Sequence, residues 1–598
     1  MSIPNNLHRG LLIIIFIQVL SPYSFSQQWF EKLKLDNKSD LNFFEIRTAV
    51  EEQYKYQKKE YFARKFEITD NPDIIYMSAG GTDGGWWDRT IGVYKTINGG
   101  ESWEPTALSA HLSDYESYRR LAMSPDDPDL LLVTGRDGIY RTTDGGQNWA
   151  RIKSGSHYDL VFKPDDGNIV FAGYYGNITK SKDAGRTWRQ VTNTRYDGYM
   201  RNIAISPVNA SYMVAELDAW INGERHSIIY SSKDAGETWT EQSLLKEDTG
   251  GTIGFSANDT LTVYRGWTKI FQSRDLGKTW IQKTNWYRDN VHPEIHADHF
   301  RIKKNPLVEN RLYFCNDGGV YIYKESDDEW IERTAGLIIS QYYCISSSQS
   351  DPSVLLAGSQ DNGGWYRNEN GIWRTTNGGD GMHTWQHPVN KNIGFSSYPG
   401  GKIYRSTNAW ASYSSVHTNI QPEPQDGDWN SRYAIDPNDD NIIVTGCYPD
   451  IYRSSDRGNS WSIIGNNLAN GDNFHCIAIP ESNSDYIYTS SGKRLYRTTD
   501  GGTSWKSFTP FSGKIKGIAV SPYNHNHIWI VAGGYNEGEK VFRSYNGGQT
   551  WENISGSLPN LPALSYPRYS SLSKLSIRMF LTCLFPVYPI IPHIISNF

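Results

Sequence analysis

The sequence predicts an all-β protein built from many short strands joined by tight turns. Its 598 residues include 21 Trp, 39 Tyr and 54 Gly, while only 38% of the residues are hydrophobic. Tyr and Trp favour strands, and Gly favours the turns between them. A short motif that recurs along the chain supports this fold class and narrows it to a repeat protein.

Charge and cysteine content exclude two other classes of protein. There are 59 Lys and Arg against 65 Asp and Glu, so the net charge is −6 and no basic excess exists to neutralise nucleic-acid phosphates. The five Cys are scattered and form no CxxC pair, which argues against a disulfide scaffold and a cysteine metal site. We therefore expect no nucleic-acid partner, no metal and no cofactor.

The N-terminus is interpreted as a targeting segment. A basic start and the apolar run LLIIIFI are followed by small residues at Ser24 and Ser26. This order predicts a cleaved signal peptide over residues 1–26, with Gln27 as the first mature residue. A membrane anchor is the alternative, but the apolar run is short for a bilayer. We expect a secreted or cell-surface protein without a membrane segment after cleavage, and a short helical leader over residues 27–65.

The repeated motif reads aromatic, then S/T-x-D/N-x-G-x-S/T-W. In the copy YRTTDGGQNW, Asn148 takes the place of the second Ser or Thr. The eight full copies are centred on Asn98, Asp144, Asp183, Asp234, Asp275, Asp456, Asp500 and Asn546. Three degenerate copies lie at Asp327, Asn370 and Asn408. Neighbouring copies are 38 (Asn370 to Asn408) to 52 residues (Asp275 to Asp327) apart, a period that predicts the blades of a β-propeller.

Each repeat is expected to supply four strands. Before most copies stands an apolar segment, a Ser-Pro turn and a second apolar segment, as in LAMSPDDPDLLLV, which is typical of a hairpin. Within the motif, Asp or Asn bonds the backbone amides that follow, Gly supplies a positive φ, and Trp packs between blades. Because this turn chemistry serves every blade equally, the repeated Asp and Asn residues are predicted to be structural.

This motif is the Asp-box, or BNR repeat. Over about residues 66–556 the sequence resembles the Asp-box propeller proteins, which include sialidases, sortilin-type ectodomains and the xyloglucanases of glycoside hydrolase family 74. Sialidases carry an early FRIP-like motif, whereas the nearest string here is FRIK at Phe300–Lys303, which we interpret as an ordinary strand. Sortilins have one ten-bladed propeller followed by a Cys-rich module that this sequence does not show.

The resemblance to family 74 includes two short segments. Thr82-Asp83-Gly84-Gly85 is similar to the context of that family's catalytic base, and Gln360-Asp361-Asn362-Gly363-Gly364-Trp365 to that of its acid. The resemblance implies that Asp83 and Asp361 hydrolyse a glycosidic bond with inversion, for which the carboxyls stand about 6.5–9.5 Å apart. The alternative is that both are turn residues like the other Asp-Gly pairs, since so short a match is common in a Gly-rich chain.

A polar stretch over residues 292–387 stands apart from the repeat. Its histidines and carboxylates are expected to bind a sugar or to form a buried polar network, because their order matches no metal signature. Together with the aromatic residues beside Asp83 and Asp361, the ligand-binding candidates are Trp86, Trp87, His296, Asp298, His299, Asp317, Gln360, Trp365, Asp380 and His383.

Composition changes at the C-terminus. From residue 557 to 598 there is no Asp, Glu or Gly, and three Pro interrupt the apolar end, which suits neither a strand nor a membrane helix. We expect an out-of-frame or truncated tail, with a membrane anchor as the alternative.

Two propellers are predicted, with about six blades over residues 66–335 and about five over 336–556. The alternative is one large sortilin-like propeller. The expected function is binding of a glycan or peptide on a propeller face. The alternative function is that of a xyloglucanase-like endo-glycoside hydrolase that acts on a plant-type polysaccharide in a cleft between the propellers.

Overall fold

A computed structural model describes residues 62–69, 71, 73–80, 90–110, 120–246, 248–305, 308–334, 342–418, 420, 432–469, 471–534, 536–556 and 558. The predicted signal peptide, most of the predicted leader and, apart from Leu558, the predicted tail lie outside these residues. Within them no helix is long and apolar enough to cross a membrane. Short 3-10 helices occupy Ala107–Ala110 and Pro399–Gly401.

The described chain forms 44 strands arranged as eleven antiparallel sheets of four. We call these sheets blades 1 to 11 in chain order. In every blade each strand pairs with the next along the chain. These meanders confirm the prediction of an all-β Asp-box propeller fold. The number of propellers stays a prediction.

Blades 1 to 6 comprise β1 (Phe62–Ile68), β2 (Ile75–Gly80), β3 (Thr90–Thr96), β4 (Glu104–Pro105); β5 (Arg120–Met123), β6 (Leu131–Thr134), β7 (Gly138–Thr142), β8 (Ala150–Ser154); β9 (Asp159–Lys163), β10 (Asp166–Tyr174), β11 (Asn177–Ser181), β12 (Arg189–Gln190); β13 (Gly198–Ile205), β14 (Met213–Ile221), β15 (Glu224–Ser232), β16 (Thr240–Leu245); β17 (Thr252–Phe255), β18 (Val263–Gly266), β19 (Ile270–Ser273), β20 (Ile281–Gln282); and β21 (Arg301–Lys304), β22 (Arg311–Asn316), β23 (Gly319–Lys324), β24 (Glu329–Glu332).

Blades 7 to 11 comprise β25 (Tyr342–Ser347), β26 (Leu355–Ser359), β27 (Gly363–Arg367), β28 (Trp373–Thr375); β29 (Thr384–Gln386), β30 (Gly394–Tyr398), β31 (Lys402–Ser406), β32 (Ser414–Ser415); β33 (Tyr433–Ile435), β34 (Ile443–Cys447), β35 (Asp450–Ser454), β36 (Ser462–Gly465); β37 (Phe474–Ala478), β38 (Ile487–Ser491), β39 (Arg494–Thr498), β40 (Lys506–Phe508); and β41 (Ile515–Val520), β42 (Ile528–Ala532), β43 (Val541–Ser544), β44 (Glu552–Asn553).

The blades fall into two compact units. Unit 1 holds the described residues 62–334 and blades 1 to 6, and unit 2 holds the described residues 342–558 and blades 7 to 11. In unit 1 the first strands of successive blades contact one another in the order β1, β5, β9, β13, β17 and β21. These strands are therefore the inner strands from which the blades of unit 1 extend outward.

The first blade begins earlier than the sequence predicted. The helical leader was expected to reach residue 65, but β1 starts at Phe62 and pairs with β2 from Phe62↔Gly80 to Ile68↔Ile75. Pairing with β2 gives the backbone amides and carbonyls of this segment hydrogen-bond partners. A short helix would leave the amides of its first turn and the carbonyls of its last turn without partners. Residues 62–65 thus belong to the fold of blade 1.

The hydrophobic core is divided among the spaces between neighbouring blades. Leu132 and Ile139 of blade 2, for example, pack with Phe162 and Val170 of blade 3. Since both faces of such a blade are covered, its second strand is buried without alternation, and all four residues of β6, the last of them Thr134, are buried.

The meander gives each blade two chemically different ends. Turns between the first and second strands and between the third and fourth lie at one end, which we call the box end because the Asp-boxes form the second of these turns. Turns between the second and third strands, and the links to the next blade, lie at the opposite end, which we call the link end.

Each Asp-box is a closed set of hydrogen bonds around one side chain. In blade 5, Asp275 accepts from the Ser273 hydroxyl (2.7 Å), the Thr279 amide (2.9 Å) and the Thr279 hydroxyl (2.6 Å). Ser273 in turn accepts from the Gly277 amide at 2.8 Å. The corresponding contacts form around Asn98, Asp144, Asp183, Asp234, Asp456, Asp500 and Asn546. This arrangement supports the structural role predicted for these residues.

The degenerate copies differ among themselves. The turn around Asn408 has the full set of contacts: Asn408 bonds Ser406 and Ser412, and the Ser406 hydroxyl accepts from the Trp410 amide. In blade 7, by contrast, Asn368 accepts from the Ile372 amide, so the turn is centred two residues before the predicted Asn370. In blade 6 the carboxylate of Asp328, next to the predicted Asp327, accepts from the Tyr323 hydroxyl at 2.8 Å.

The Asp-box also joins the two turns at the box end. The residue after the central Asp or Asn has a positive φ, +62° at Leu276, and its amide donates to the turn before the second strand, here the Leu261 carbonyl at 2.8 Å. Hydrogen bonds from the backbone and side-chain amides of Asn148 lower the pKa of the Asp144 carboxyl to about 2. The charged form of that box is thus stabilised by its own turn.

Replacement of Asp275 by Ala is expected to lower the free energy of unfolding by about 1–3 kcal/mol. The amides of Lys278 and Thr279 and the hydroxyls of Ser273 and Thr279 would lose their acceptor. Asp275→Asn is the matched control and is expected to lose less, since Asn408 and Asn546 form the same turn. Urea denaturation followed by Trp fluorescence measures both. Equal losses in the two variants would contradict the role assigned to this carboxylate.

Candidate functional site

The candidate residues that the structure describes all lie at the link end of their blades. Turns between second and third strands hold Asp317 in blade 6 and Gln360 and Asp361 in blade 7. Trp365 is the third residue of β27, and its indole N–H donates to the Asn362 carbonyl in that turn. The links before β21 and β29 hold the remaining candidates, which are His296, Asp298, His299, Asp380 and His383. Asp83, Trp86 and Trp87 belong to the segment between β2 and β3 and lie outside the described residues.

In unit 1, the link before β21 folds against the turn that carries Asp317. The Asn316 side-chain amide donates to the His296 carbonyl at 2.8 Å, and the Asn316 side-chain oxygen accepts from the Gly318 amide at 3.0 Å. A side chain at Gly318 would collide with the His296 ring, so glycine is required at this close approach. Asp298 adopts a φ of +61° in the same link. His296, Asp298 and Asp317 are therefore half-buried neighbours of one rigid corner of blade 6.

His299 is not a surface residue, which corrects the expectation that it contacts a ligand. It is 1% exposed and its ring packs edge-on against Phe314, with centroids 6.2 Å apart. Neither ring nitrogen has a hydrogen-bond partner among the described residues. Burial, with a contribution from His296, lowers the pKa of His299 to about 3, so the ring is neutral in the folded protein at pH 7.

His383 is also a core residue rather than a ligand contact. It is 4% exposed, its ring lies edge-on to Tyr433 at 4.9 Å, and its backbone amide donates to the Ser397 hydroxyl at 2.9 Å. Packing of the link before β29 under the neighbouring blade buries this side chain. Sequence reasoning could not separate these two histidines from exposed ones, because their burial depends on contacts between blades.

In unit 2, Asp361 and Asp380 form a pair at the link end of blade 7. Asp361 has a φ of +56°, and its backbone amide donates to the Asp380 carboxylate oxygen Oδ1 at 2.9 Å. The two segments that carry them are joined by hydrogen bonds from the Gly363 amide to the Gly379 carbonyl (2.6 Å) and from the Gly381 amide to the Ser359 carbonyl (2.9 Å). Two carboxyls are thereby held together by the backbone.

Electrostatics distinguish this pair from the Asp-boxes. Burial first, and then the charge of Asp361, raise the pKa of the Asp380 carboxyl to about 6. At mildly acidic pH the pair therefore carries a proton, whereas the Asp144 and Asp500 boxes, with pKa values of about 2, remain charged. A carboxyl that is still protonated near pH 6 is suited to donate a proton or to bind a hydroxyl group.

Gln360 and Trp365 shape the turn around Asp361. The Asn362 amide donates to the Gln360 carbonyl at 2.6 Å, and the Trp365 indole N–H donates to the Asn362 carbonyl at 2.7 Å. Trp365 is half-buried. The indole is consequently held in one orientation beside the Asp361–Asp380 pair.

Five exposed aromatic side chains in unit 1 were not among the predicted binding residues. Among the described residues of this unit, the large aromatic side chains with exposed surfaces are Tyr175, Trp220, Trp286, Tyr287 and Phe300, and all five lie at the link end. Among the described residues of unit 1, the exposed large apolar side chains in box-end turns, such as Ile97, Val208 and Leu261, are aliphatic. A sequence signal existed, since the five lie outside the Asp-boxes, next to turns or links between strands.

Tyr175 belongs to a group of three rings, Tyr158, Tyr175 and Tyr199, which we call the tyrosine cluster. Tyr199 lies 4.9 Å from Tyr158 and 5.6 Å from Tyr175 between ring centroids. The Arg201 guanidinium lies 5.7 Å from the centre of the Tyr199 ring and forms an ion pair of 2.7 Å with buried Asp218. The aromatic rings of the tyrosine cluster therefore lie next to the Arg201 guanidinium, which its ion pair with Asp218 holds in place.

The same Asp218 connects the tyrosine cluster to Trp220. Its carboxylate accepts two hydrogen bonds of 2.8 Å from the Arg225 guanidinium, and Arg225 pairs with Trp220 across the hairpin of β14 and β15. Trp286 and Tyr287 form a second, edge-to-face pair with centroids 5.1 Å apart.

Comparison with known proteins finds similarity to Asp-box propeller proteins. The family model Sortilin-Vps10 ("Sortilin, neurotensin receptor 3") matches residues 449–566. The xyloglucanase Xgh74A of Acetivibrio thermocellus is 25% identical over 111 residues, which are 17% of this chain and 13% of that protein. The chain thus spans a small part of the curated relative that it matches. These findings confirm the predicted resemblance to sortilin-type and family 74 proteins.

Solved structures show the same likeness. An ancestral GH74 enzyme has a TM-score of 0.56 at 12% identity, with 82% of this chain and 78% of that chain covered. A GH74 xyloglucanase from Xanthomonas campestris has a TM-score of 0.39 at 15% identity, with 82% and 86% covered. At this identity the first of these matches defines the fold of the chain as that of an Asp-box propeller protein.

Burial of neutral His299 predicts a pH-dependent stability. Its folded pKa of about 3 lies below its ordinary value of 6.5, so this contribution is complete above pH 6.5 and is lost as the pH falls toward 3. Between pH 7 and pH 5 the loss is about 2 kcal/mol. His299→Phe keeps a ring beside Phe314 and should remove this loss. Urea unfolding of both proteins at the two pH values gives the difference, and equal pH dependence would contradict the assignment.

Proposed function

We propose that this Asp-box propeller protein binds a glycan at the link end of unit 1. The observation that carries the proposal is the placement of all five exposed aromatic side chains of the described part of unit 1 at that end. Aromatic rings present an apolar face with negative electrostatic potential, which suits the C–H groups on the face of a pyranose ring. Exposed apolar surface of this kind marks a binding site more often than it serves stability.

Charged groups beside the rings supply the polar half of sugar recognition. Buried Asp218 holds Arg201 and Arg225 by ion pairs, so the two guanidinium groups can bind sugar hydroxyls without first being ordered. Half-buried Asp298 and Asp317 add acceptors at the same end of blade 6. The similarity to a xyloglucanase supports a plant-type polysaccharide such as xyloglucan as the ligand class. The predicted secretion would expose this surface to such polysaccharides.

A glycan fits this surface better than a peptide does. Peptide capture usually adds a strand to an open sheet edge or fills a continuous apolar groove. Here the exposed rings are separated by charged residues and turns: Arg201 and Arg225, both paired with Asp218, lie between the tyrosine cluster that contains Tyr175 and exposed Trp220. That alternation matches a chain of sugar rings, which offers apolar faces and hydroxyl edges in turn.

A second candidate function is hydrolysis of the same glycan with inversion. The Asp361–Asp380 pair favours it, because the raised pKa of Asp380, about 6, keeps one proton on the pair at mildly acidic pH, and that proton can move to a glycosidic oxygen. In this candidate Asp361 is the acid and Asp83 the base, as the resemblance to family 74 implies. Water attacks the anomeric carbon, loses its proton to the base, and the C–O bond breaks as the acid protonates the leaving oxygen.

Binding is tested by isothermal titration calorimetry with xyloglucan and cello-oligosaccharides. Tyr175→Ala and Trp220→Ala are each expected to weaken binding about 10-fold, since each removes one stacking surface. The matched control is Tyr523→Ala, an exposed aromatic residue in a box-end turn of blade 11, which should bind like the original protein. Unchanged affinity in both link-end variants would contradict the proposed site.

An assay for new reducing ends, after incubation of the protein with the same glycans, distinguishes the two candidate functions. Glycan binding without new reducing ends contradicts the hydrolase and leaves the binding function. New reducing ends that persist in Asp361→Asn exclude Asp361 as the acid.

A further inference from the structure

The backbone at Asp361 has a conformation that needs support. A φ of +56° lies in the left-handed region, where a residue with a side chain is disfavoured by about 1 kcal/mol unless its surroundings compensate. In this conformation the Asp361 amide points to the link before β29 rather than to a partner strand. Its acceptor is the Asp380 carboxylate at 2.9 Å, so Asp380 stabilises the conformation that presents Asp361.

The surrounding backbone leaves little room for the pair to separate. A side chain at Gly381 would stand 2.4 Å from the Gly363 carbonyl, and one at Gly364 would stand 2.1 Å from the Thr376 hydroxyl. The Ser359 hydroxyl donates to the Gly363 carbonyl at 2.7 Å. Close backbone contact therefore fixes the distance between the two carboxyl-bearing segments.

Burial is the largest influence on the pKa of the Asp380 carboxyl and raises it. The hydrogen bond from the Asp361 amide lowers this pKa, whereas the charge and the side-chain hydrogen bond of Asp361, the titratable neighbour among the described residues, raise it. On the facing hairpin, the Tyr398 hydroxyl lies where a side chain at Gly379 would be, and the Lys402 ammonium lies 5.5 Å from the Tyr398 ring centre. Two like charges held together in a partly buried site are disfavoured, and one proton between them removes the repulsion.

We propose that Asp380 is a positioning residue for Asp361: its carboxyl fixes the Asp361 turn by accepting the amide hydrogen bond, and the two carboxyls share one proton. When the pair acts on a glycan, that proton moves to the leaving oxygen as the C–O bond breaks, and both carboxylates remain until the pair takes up a proton from water. The catalytic step rests on the hydrolase proposed above as the second candidate function. The shared proton and the fixed Asp361 turn are independent of that function.

The shared proton is tested by infrared difference spectroscopy of carboxyl groups in the full chain between pH 4 and pH 8. Asp380→Asn keeps an amide oxygen that can accept from the Asp361 amide but removes the second carboxyl. It is expected to lose one carboxyl that titrates near pH 6 in the original protein. Asp361→Asn should keep this carboxyl but shift its midpoint to lower pH, because burial remains while the neighbouring charge is gone.

The control is Asp485→Asn, an exposed residue in a box-end turn of the same unit, which should leave the titration near pH 6 unchanged. The proposal is overturned if the titration near pH 6 survives in Asp380→Asn, or if its midpoint does not move in Asp361→Asn. Thermal unfolding of each variant identifies any that fail to fold, and a crystal structure of Asp380→Asn then shows whether the Asp361 turn persists.

Activity supplies an independent measurement. If the original protein hydrolyses xyloglucan, Asp380→Ala should lower kcat about 100-fold with little change in KM, and Asp380→Asn should lower it less because the amide hydrogen bond survives. Equal kcat in all three proteins would overturn the positioning role. If the original protein does not hydrolyse the glycan, the hydrolase function fails, and the infrared titration alone decides the proposal.

Discussion

The side chain at the centre of each Asp-box is the contact on which the rest of the blade depends. This side chain accepts hydrogen bonds from the amides and hydroxyls of its own tight turn, which have no partner in a neighbouring strand. The amide of the next residue donates to the turn between the first and second strands of the same blade. Two hairpins become one four-stranded sheet with a fixed register. Because this register directs the same residues into the space between blades each time, the apolar clusters between neighbouring sheets follow from it.

The Asp-box also makes the two ends of a blade differ in how freely their sequences can vary. At the box end, side chains are committed to the turn, and substitutions there change stability. At the link end, turns differ in length and sequence from blade to blade, from the short hairpin at Tyr175 to the long link that carries Trp286 and Asp298. A surface free to vary while the scaffold stays constant is where binding residues are expected. The exposed aromatic residues of unit 1 and the Asp361–Asp380 pair of unit 2 lie there.

Much of the fold was predictable from sequence because its determinants are local. Asp275 and the four residues after it specify their turn without help from distant residues, and the spacing of such turns sets the blades. The candidate site was predictable only in part. Asp361 was identified from its Gly-rich context, but its hydrogen bond to Asp380, 19 residues away, depends on how blade 7 returns to its link end. His299 and His383 were misplaced because neighbouring blades, not local sequence, decide their burial. Trp220 was not predicted as a binding residue, because its exposure also depends on the contacts of its blade and not on a local motif.

The most direct test of the account is hydroxyl-radical footprinting of the protein with and without a saturating xyloglucan oligosaccharide. The account predicts lower oxidation at the link-end residues Tyr175, Trp220, Trp286 and Tyr287 in the presence of the glycan. It also predicts unchanged oxidation of Tyr523 and Tyr545, which are exposed at box-end turns. Protection of the box-end pair, or of neither group while the glycan is bound, would contradict the assignment of function to the link end.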